Sequence, residues 1–144
     1  MKKSLIAFLC FIAGILLVVS CSADDSPKVN FHLTYLATEG VSVPEYMKRG
    51  ETYTISVYYK KPDDCHYFNG MYSTVNQSVY TMAVEAMVLD NVDCQPSAAT
   101  APDVASFNFT VPLSVYNNCT FKFYTGTDAQ GNDTFIVKEV PVWQ

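Results

Sequence analysis

Apolar and polar residues alternate in short segments along most of this 144-residue chain. The clearest segment is residues 52–59, in which Tyr53, Ile55, Val57 and Tyr59 alternate with Thr52, Thr54, Ser56 and Tyr58. A period of two predicts a strand with one face in a core. Residues 29–36 have the same pattern, so we expect Val29, Phe31, Leu33 and Tyr35 to face the core together. Residues 66–75, 107–111, 120–124 and 134–143 also read as strands.

Residues 79–89 fit two periods. Tyr80, Met82, Val84, Ala86 and Val88 suit a strand, whereas Tyr80, Ala83, Val84, Met87 and Val88 suit a helix equally well. We favour a strand, because the neighbouring segments are strands that need a partner. Residues 76–78 and 125–133 are rich in turn formers, and Glu39, Gly40 and Pro44 interrupt the pattern between the first two strands.

About seven short strands without a reliable helix predict an all-β fold. An immunoglobulin-like two-sheet sandwich over residues 29–144 is the architecture we expect. Pro141 falls inside the last strand, and proline cannot donate a hydrogen bond to a sheet, so we expect an edge strand or a bulge there.

The first twenty residues have the layout of a secretory signal. Lys2 and Lys3 form a positive start, residues 5–19 are apolar, and the small Ser20 precedes Cys21. The polar, anionic sequence that follows contains no basic stop-transfer cluster, so cleavage is favoured over a membrane span. We therefore predict a signal peptide over residues 1–20 and a flexible tether over residues 21–28.

The sequence Val18-Val19-Ser20-Cys21 resembles the lipobox of bacterial lipoproteins. The resemblance implies that the Cys21 sulfur carries a diacylglycerol after cleavage and that its amine can be acylated as well. Two or three fatty chains hold a small domain stably on a bilayer. An ordinary secreted cysteine is the alternative for this position.

Asp24 and Asp25, close behind the cysteine, resemble the surface-export signal of lipoproteins in the Bacteroidota. The chain as a whole is similar to short lipoproteins of that phylum, which join a lipobox, an acidic tether and an immunoglobulin-like domain. This resemblance implies an outer-membrane anchor and display at the cell surface, and it implies no activity.

Charge narrows the range of partners. Removal of residues 1–20 takes away two lysines, so the remaining 124 residues have seven basic and 14 acidic side chains, a net charge near −7. An acidic surface disfavours nucleic acids and anionic lipids. The membrane contact that we expect is the N-terminal lipid.

Three cysteines remain once Cys10 leaves with the signal peptide and Cys21 is lipidated. In an oxidising exterior, three cysteines predict one disulfide and one free thiol. If residues 76–78 turn a hairpin, Cys65 and Cys94 both lie near its open end, which makes them the preferred pair. Pairs of Cys119 with either of the other two remain open.

The sequence contains no clear catalytic or metal-binding constellation, so we predict neither enzyme activity nor a cofactor. His32 and His66 have no cluster of other ligand types around them at a useful spacing. Asp128, Gln130, Asn132 and Glu139 have spacings similar to those of a calcium-binding loop. Asp133 stands where that loop needs glycine, however, and strand-like sequence flanks the segment, so an ordinary hairpin turn is favoured.

Aromatic residues make up 14% of the chain, and several tyrosines fall in predicted strands. Packing is the common role of such residues, but a tyrosine outside the core can bind a sugar or a protein. Tyr58 shares the polar side of its strand with Thr54 and Ser56, and Tyr124 lies with Lys122 and Thr120. We therefore select Tyr58 and Tyr124 as candidate ligand-binding residues.

The function that we expect is that of a noncatalytic binding or interaction domain, which contacts a glycan or a protein. One alternative is a structural accessory subunit of an envelope complex. Another is a protease inhibitor, which would use the small-residue loop of residues 95–103.

Overall fold

A computed structural model describes residues 29–144 as an all-β protein. The predicted signal peptide, the tether and Cys21 lie outside the described residues. Within them, no helix has the length and apolar character needed to cross a bilayer. The nine strands are β1 (Phe31–Leu36), β2 (Thr38–Ser42), β3 (Met47–Lys48), β4 (Thr52–Tyr59), β5 (His66–Asn76), β6 (Val79–Leu89), β7 (Asp103–Thr110), β8 (Asn118–Thr127) and β9 (Asp133–Trp143).

Two sheets form the sandwich, as predicted. The larger has the order β1-β6-β8-β9-β3, with β5 on the other side of β6, and the smaller has the order β2-β4-β7. The described residues contain nine strands rather than seven, because β2 and β3 occupy the segment in which glycine and proline interrupt the pattern. β2 pairs with β4 through a shift of register between Thr38 and Gly40, as at a β-bulge.

Two of the strand pairs are parallel, unlike the antiparallel sheets of an immunoglobulin domain. β6 pairs with β8 from Val79 opposite Thr120, and β3 pairs with β9 over two residues. Over Asp133–Pro141, β9 pairs with β8 alone, so Pro141 lies in an edge stretch, as predicted. Because this pair is parallel, β6 and β8 both begin at the same end of the larger sheet.

The core lies between the two sheets. Ile55 and Val57 from β4 face Phe121 and Phe123 from β8, and all four are fully buried. Phe109 packs edge-on against Phe121, with ring centroids 5.0 Å apart. The inward side of residues 52–59 was thus predicted correctly.

Residues 79–89 form a strand, so the choice of strand over helix is confirmed. Val84, Ala86 and Val88 are buried at alternate positions. β6 pairs with β5, β1 and β8, which makes it the most extensively paired strand of the larger sheet. These partners supply the non-local hydrogen bonds that the local pattern could not specify.

The predicted orientation of β1 is wrong. Phe31, Leu33 and Tyr35 are all exposed, whereas Leu36 is buried. The pairing with β6 sets this orientation, because Leu36 lies opposite the buried Val84 and Leu33 lies opposite Met87 on the outer face. A shift of one residue in that register would reverse every side chain of the strand.

Cys65 and Cys94 form a disulfide, as predicted, and Cys119 is free and buried. The disulfide joins the segments at the open end of the β5–β6 hairpin, with a Cα–Cα distance of 5.5 Å. The two cysteines are 29 residues apart in the sequence. On the chain-entropy model, closing a loop of that length stabilises the fold by roughly 3 to 4 kcal/mol. Burial raises the pKa of the Cys119 thiol.

Candidate functional site

The outer face of the larger sheet carries a group of large aromatic and apolar side chains. Side chains of paired residues project from the same side of a sheet, so the register brings residues from four strands together. Leu33 and Tyr67 both lie opposite Met87, and Tyr124 lies opposite Phe135. We call this surface the aromatic face; its members are Phe31, Leu33, Tyr35, Tyr67, Tyr72, Tyr124 and Phe135.

Tyr35 is at the centre of the aromatic face. Its ring centroid lies 5.2 Å from that of Tyr72 and 6.1 Å from that of Tyr124. Tyr124 in turn lies 6.2 Å from Phe135. The rings therefore form a continuous row across β5, β1, β8 and β9, at distances typical of attractive aromatic pairs.

The rings in this row are not coplanar. Neighbouring planes meet at 38° for Tyr35 and Tyr72, 67° for Tyr35 and Tyr124, and 70° for Tyr124 and Phe135. A flat sugar chain would need several rings in one plane on which to stack. The surface is instead corrugated, which suits the uneven surface of a protein.

Much of the aromatic face is open to solvent. Phe31, Leu33, Tyr35, Tyr67 and Tyr72 are each between 43% and 54% exposed. Taking about 200 Å² for the surface of each large side chain, they leave roughly 500 Å² uncovered. The largest apolar patch of a typical monomer is about 300 to 600 Å², and patches of that size are often functional.

Two charged side chains lie within or beside the row of rings. The Lys122 ammonium sits over the Phe135 ring, 4.4 Å from its centroid. Glu85 lies opposite Tyr35 in the sheet, and its carboxylate accepts a hydrogen bond from the Asn69 amide. Desolvation, helped by the charges of Tyr72 and Glu85, raises the pKa of Tyr35. The Tyr35 hydroxyl is therefore a neutral hydrogen-bonding group at physiological pH.

The structure separates the two tyrosines that the sequence selected. Tyr124 belongs to the aromatic face, beside Tyr35. Tyr58 lies in the smaller sheet, opposite Gly40 and Val104. They cannot act in one site, and a ligand-binding role for Tyr58 stays a prediction.

The disulfide neighbours a small cluster of polar groups. Asp63 Oδ1 accepts hydrogen bonds from His66 Nδ1 at 2.6 Å and from the Cys65 main-chain N–H at 3.0 Å. The hydrogen bond from His66 is the main reason that the pKa of Asp63 lies below its ordinary value. Asp63, Asp64, Cys65 and Cys94 have potential metal ligands within 4.8 Å of one another. The two sulfurs are joined to each other, however, and a thiolate is the form that binds metals.

The Asp128 segment is a hairpin turn, as the sequence favoured. Asp128 Oδ1 accepts hydrogen bonds from the main-chain N–H groups of Gln130 and Asn132, at 2.9 and 2.8 Å. Glu139, the last member of the calcium-like spacing, lies opposite Thr120 in the β8–β9 pair, well away from the turn. The Asp128 oxygen therefore serves the turn itself.

Comparison with known protein families, with curated proteins and with solved structures finds no match for this chain.

Proposed function

We propose that this chain is a lipid-anchored protein of the bacterial cell envelope, attached to the outer membrane through Cys21 and displayed at the cell surface. Its β-sandwich would act as a noncatalytic interaction domain, with the aromatic face as the surface that contacts a partner protein. The observation that carries this proposal is the continuous row of rings across four strands, which is exposed at Tyr35 and Tyr72 and half-buried at Tyr124 and Phe135.

The size and composition of the aromatic face support a protein partner. Its roughly 500 Å² of open surface, most of it on rings and aliphatic carbons, could form the centre of an interface, since specific complexes bury about 800 Å² on each partner. Tyrosine and phenylalanine are enriched at such centres, with polar groups around them. Lys122 and Glu85 supply a cation and an anion for orienting the partner.

A second copy of this chain is the less favoured occupant. The full chain has a net charge of −5, which becomes about −7 without the leader, so two copies repel each other. The partner that we propose is a different envelope or host protein, with an apolar patch inside a polar rim.

Site-specific photo-cross-linking in intact cells tests the aromatic face. Benzoylphenylalanine would replace Tyr72 in the full chain, and a matched control would carry it at Val104, an exposed position on the smaller sheet. We expect one adduct of defined mass from position 72 and none from position 104. Equal adducts from both positions, an adduct with a second copy or with a glycan, or no adduct would overturn the proposal.

Labelling with radioactive palmitate tests the anchor separately. The wild-type chain should incorporate the label and partition with outer membranes, whereas Cys21→Ala should do neither. Incorporation by Cys21→Ala, or an unlabelled wild-type chain, would refute lipidation at this cysteine.

A further inference from the structure

A cleft lies at the end of the sandwich where β6 and β8 begin. Because these strands run parallel, the residues just before each of them meet at the same end of the sheet. Gln77 and Ser78 from the β5–β6 turn form one wall, and Ser114, Tyr116, Asn117 and Asn118 form the other. The cleft has a volume of about 370 Å³, which is within the usual range for small-molecule sites.

Main-chain hydrogen bonds hold both walls of this cleft. The Thr120 N–H donates to the Ser78 carbonyl at 2.9 Å, and the Val142 N–H donates to the Asn117 carbonyl at 2.8 Å. Val115, between the polar residues of the second wall, is buried and anchors the loop in the core. The cleft is thus built by the backbone, and its side-chain amides and hydroxyls are not needed to hold it.

The chemistry of the cleft is neutral and rich in hydrogen-bonding groups. Its lining holds three amides and two aliphatic hydroxyls and no carboxylate or basic side chain. An amide offers both donors and an acceptor, which matches a hydroxyl that donates and accepts at once. The one cation described beside the cleft, Arg49, lies over the Tyr116 ring and not among the lining residues. In a chain of net charge −5, such a cleft is a poor site for an anion.

One aromatic ring stands at the cleft. Tyr116 is 69% exposed, and the Arg49 guanidinium lies over its ring at 4.8 Å from the centroid. A cation over a ring is an attractive contact that favours one ring orientation. The ring face that Arg49 leaves open is therefore the apolar surface that Tyr116 can offer beside the three amides.

We propose that this cleft binds a neutral saccharide, with Tyr116 stacking against the C–H groups of a sugar ring and Gln77, Asn117 and Asn118 hydrogen-bonding to its hydroxyls. This site is separate from the aromatic face and does not rest on the function proposed above. β6 spans roughly 35 Å at about 3.3 Å per residue, and the cleft lies at the opposite end of it from the start of β1. The tether before β1 would therefore join the domain at the end that is far from the cleft.

An array of neutral oligosaccharides, with sulfated and sialylated counterparts, tests the proposal on the full chain in mild detergent. We expect binding to neutral members, and calorimetry on the best of them should give an affinity about tenfold weaker for Tyr116→Ala and for Asn117→Asp. Asn117→Asp keeps the shape of the side chain while replacing its donors with a negative charge.

Tyr72→Ser on the aromatic face is the matched control and should bind the oligosaccharide as the wild type does. Thermal unfolding of Asn117→Asp should be unchanged, and that of Tyr116→Ala should change only slightly, because both residues are exposed and Tyr116 loses only its surface contact with Arg49. No binding to any neutral oligosaccharide, a preference for the charged counterparts, or full affinity in Tyr116→Ala would overturn the proposal. Loss of binding in Tyr72→Ser would assign the saccharide to the aromatic face instead.

Discussion

The Thr38 hydroxyl is a buried polar group without a partner. Thr38 is 5% exposed, and no group among residues 29–144 forms a hydrogen bond with its Oγ1. A buried hydroxyl in this state costs about 1 to 3 kcal/mol. Thr38→Val keeps the branched shape and removes the hydroxyl, so we expect the free energy of unfolding in urea to rise by about 1 kcal/mol.

Thr52→Val is the control for that measurement. The Thr52 hydroxyl is exposed and pairs with the Thr110 hydroxyl at 2.8 Å, so its removal should give no gain in stability. A decrease in the free energy of unfolding of Thr38→Val would contradict the prediction.

Asp128 makes the β8–β9 hairpin sensitive to acid. Hydrogen bonds from the Asn132 main chain and side chain, and from the Gln130 main chain, hold its pKa below the ordinary value. Because the folded pKa is lower than the unfolded one, this stabilisation is present above the unfolded pKa and is lost as the pH falls through the folded pKa. We expect the wild type to be more stable than Asp128→Ala at pH 7, and the difference to shrink below about pH 4.

Thermal unfolding of both proteins between pH 7 and pH 2 measures this difference. A difference in melting temperature that stays constant over the whole range would show that the carboxylate does not stabilise the turn through its charge.

At the level of single elements, the orientation of β1 can be tested by comparing two leucines. Leu33 is 52% exposed on the aromatic face, whereas Leu36 is 5% exposed in the core. A buried charge without a partner costs about 3 kcal/mol or more, and an exposed one costs little. Leu36→Asp should therefore lower the urea midpoint severely, and Leu33→Asp should leave it nearly unchanged. The reverse result would place Leu33 in the core, as its sequence pattern alone predicted.

The same strand shows why alternation predicts strands better than it predicts faces. In β4, the apolar side is also the buried side, so the pattern gave both the strand and its orientation. In β1, both sides carry apolar residues once Leu36 is included, and only the pairing with β6 decides between them. β2 and β3 were not predicted, because they are short and their strand conformation depends on pairing with β4 and β9, which are distant in the sequence.

The disulfide could be predicted from the local sequence, whereas the aromatic face could not. The pairing of Cys65 with Cys94 followed from one local hairpin, so the sequence could predict it. The aromatic face combines residues from β1, β5, β8 and β9, and its order in space depends on the parallel pairing of β6 with β8. Tyr124 was found because its strand neighbours are polar, whereas Tyr35 has an apolar strand neighbour in Leu33 and was assigned to the core.

At the scale of the whole molecule, the aromatic face and the cleft occupy different parts of the domain surface. The aromatic face occupies the outside of the larger sheet, and the neutral cleft lies at the end where β6 begins. A domain tethered just before β1 can therefore offer both surfaces at once. The two surfaces differ in chemistry, since one is apolar and corrugated and the other is concave and rich in amides.

Hydroxyl-radical footprinting tests most directly whether the aromatic face is a contact surface. Tyrosine oxidation would be compared between the purified full chain and the same chain on intact cells, with Trp143, 58% exposed at the end of β9, as the internal reference. We predict that Tyr35 and Tyr72 are readily oxidised in the purified chain and protected several-fold on cells, while Trp143 reacts equally in both. Equal oxidation of Tyr35 and Tyr72 in the two samples would contradict the proposed contact.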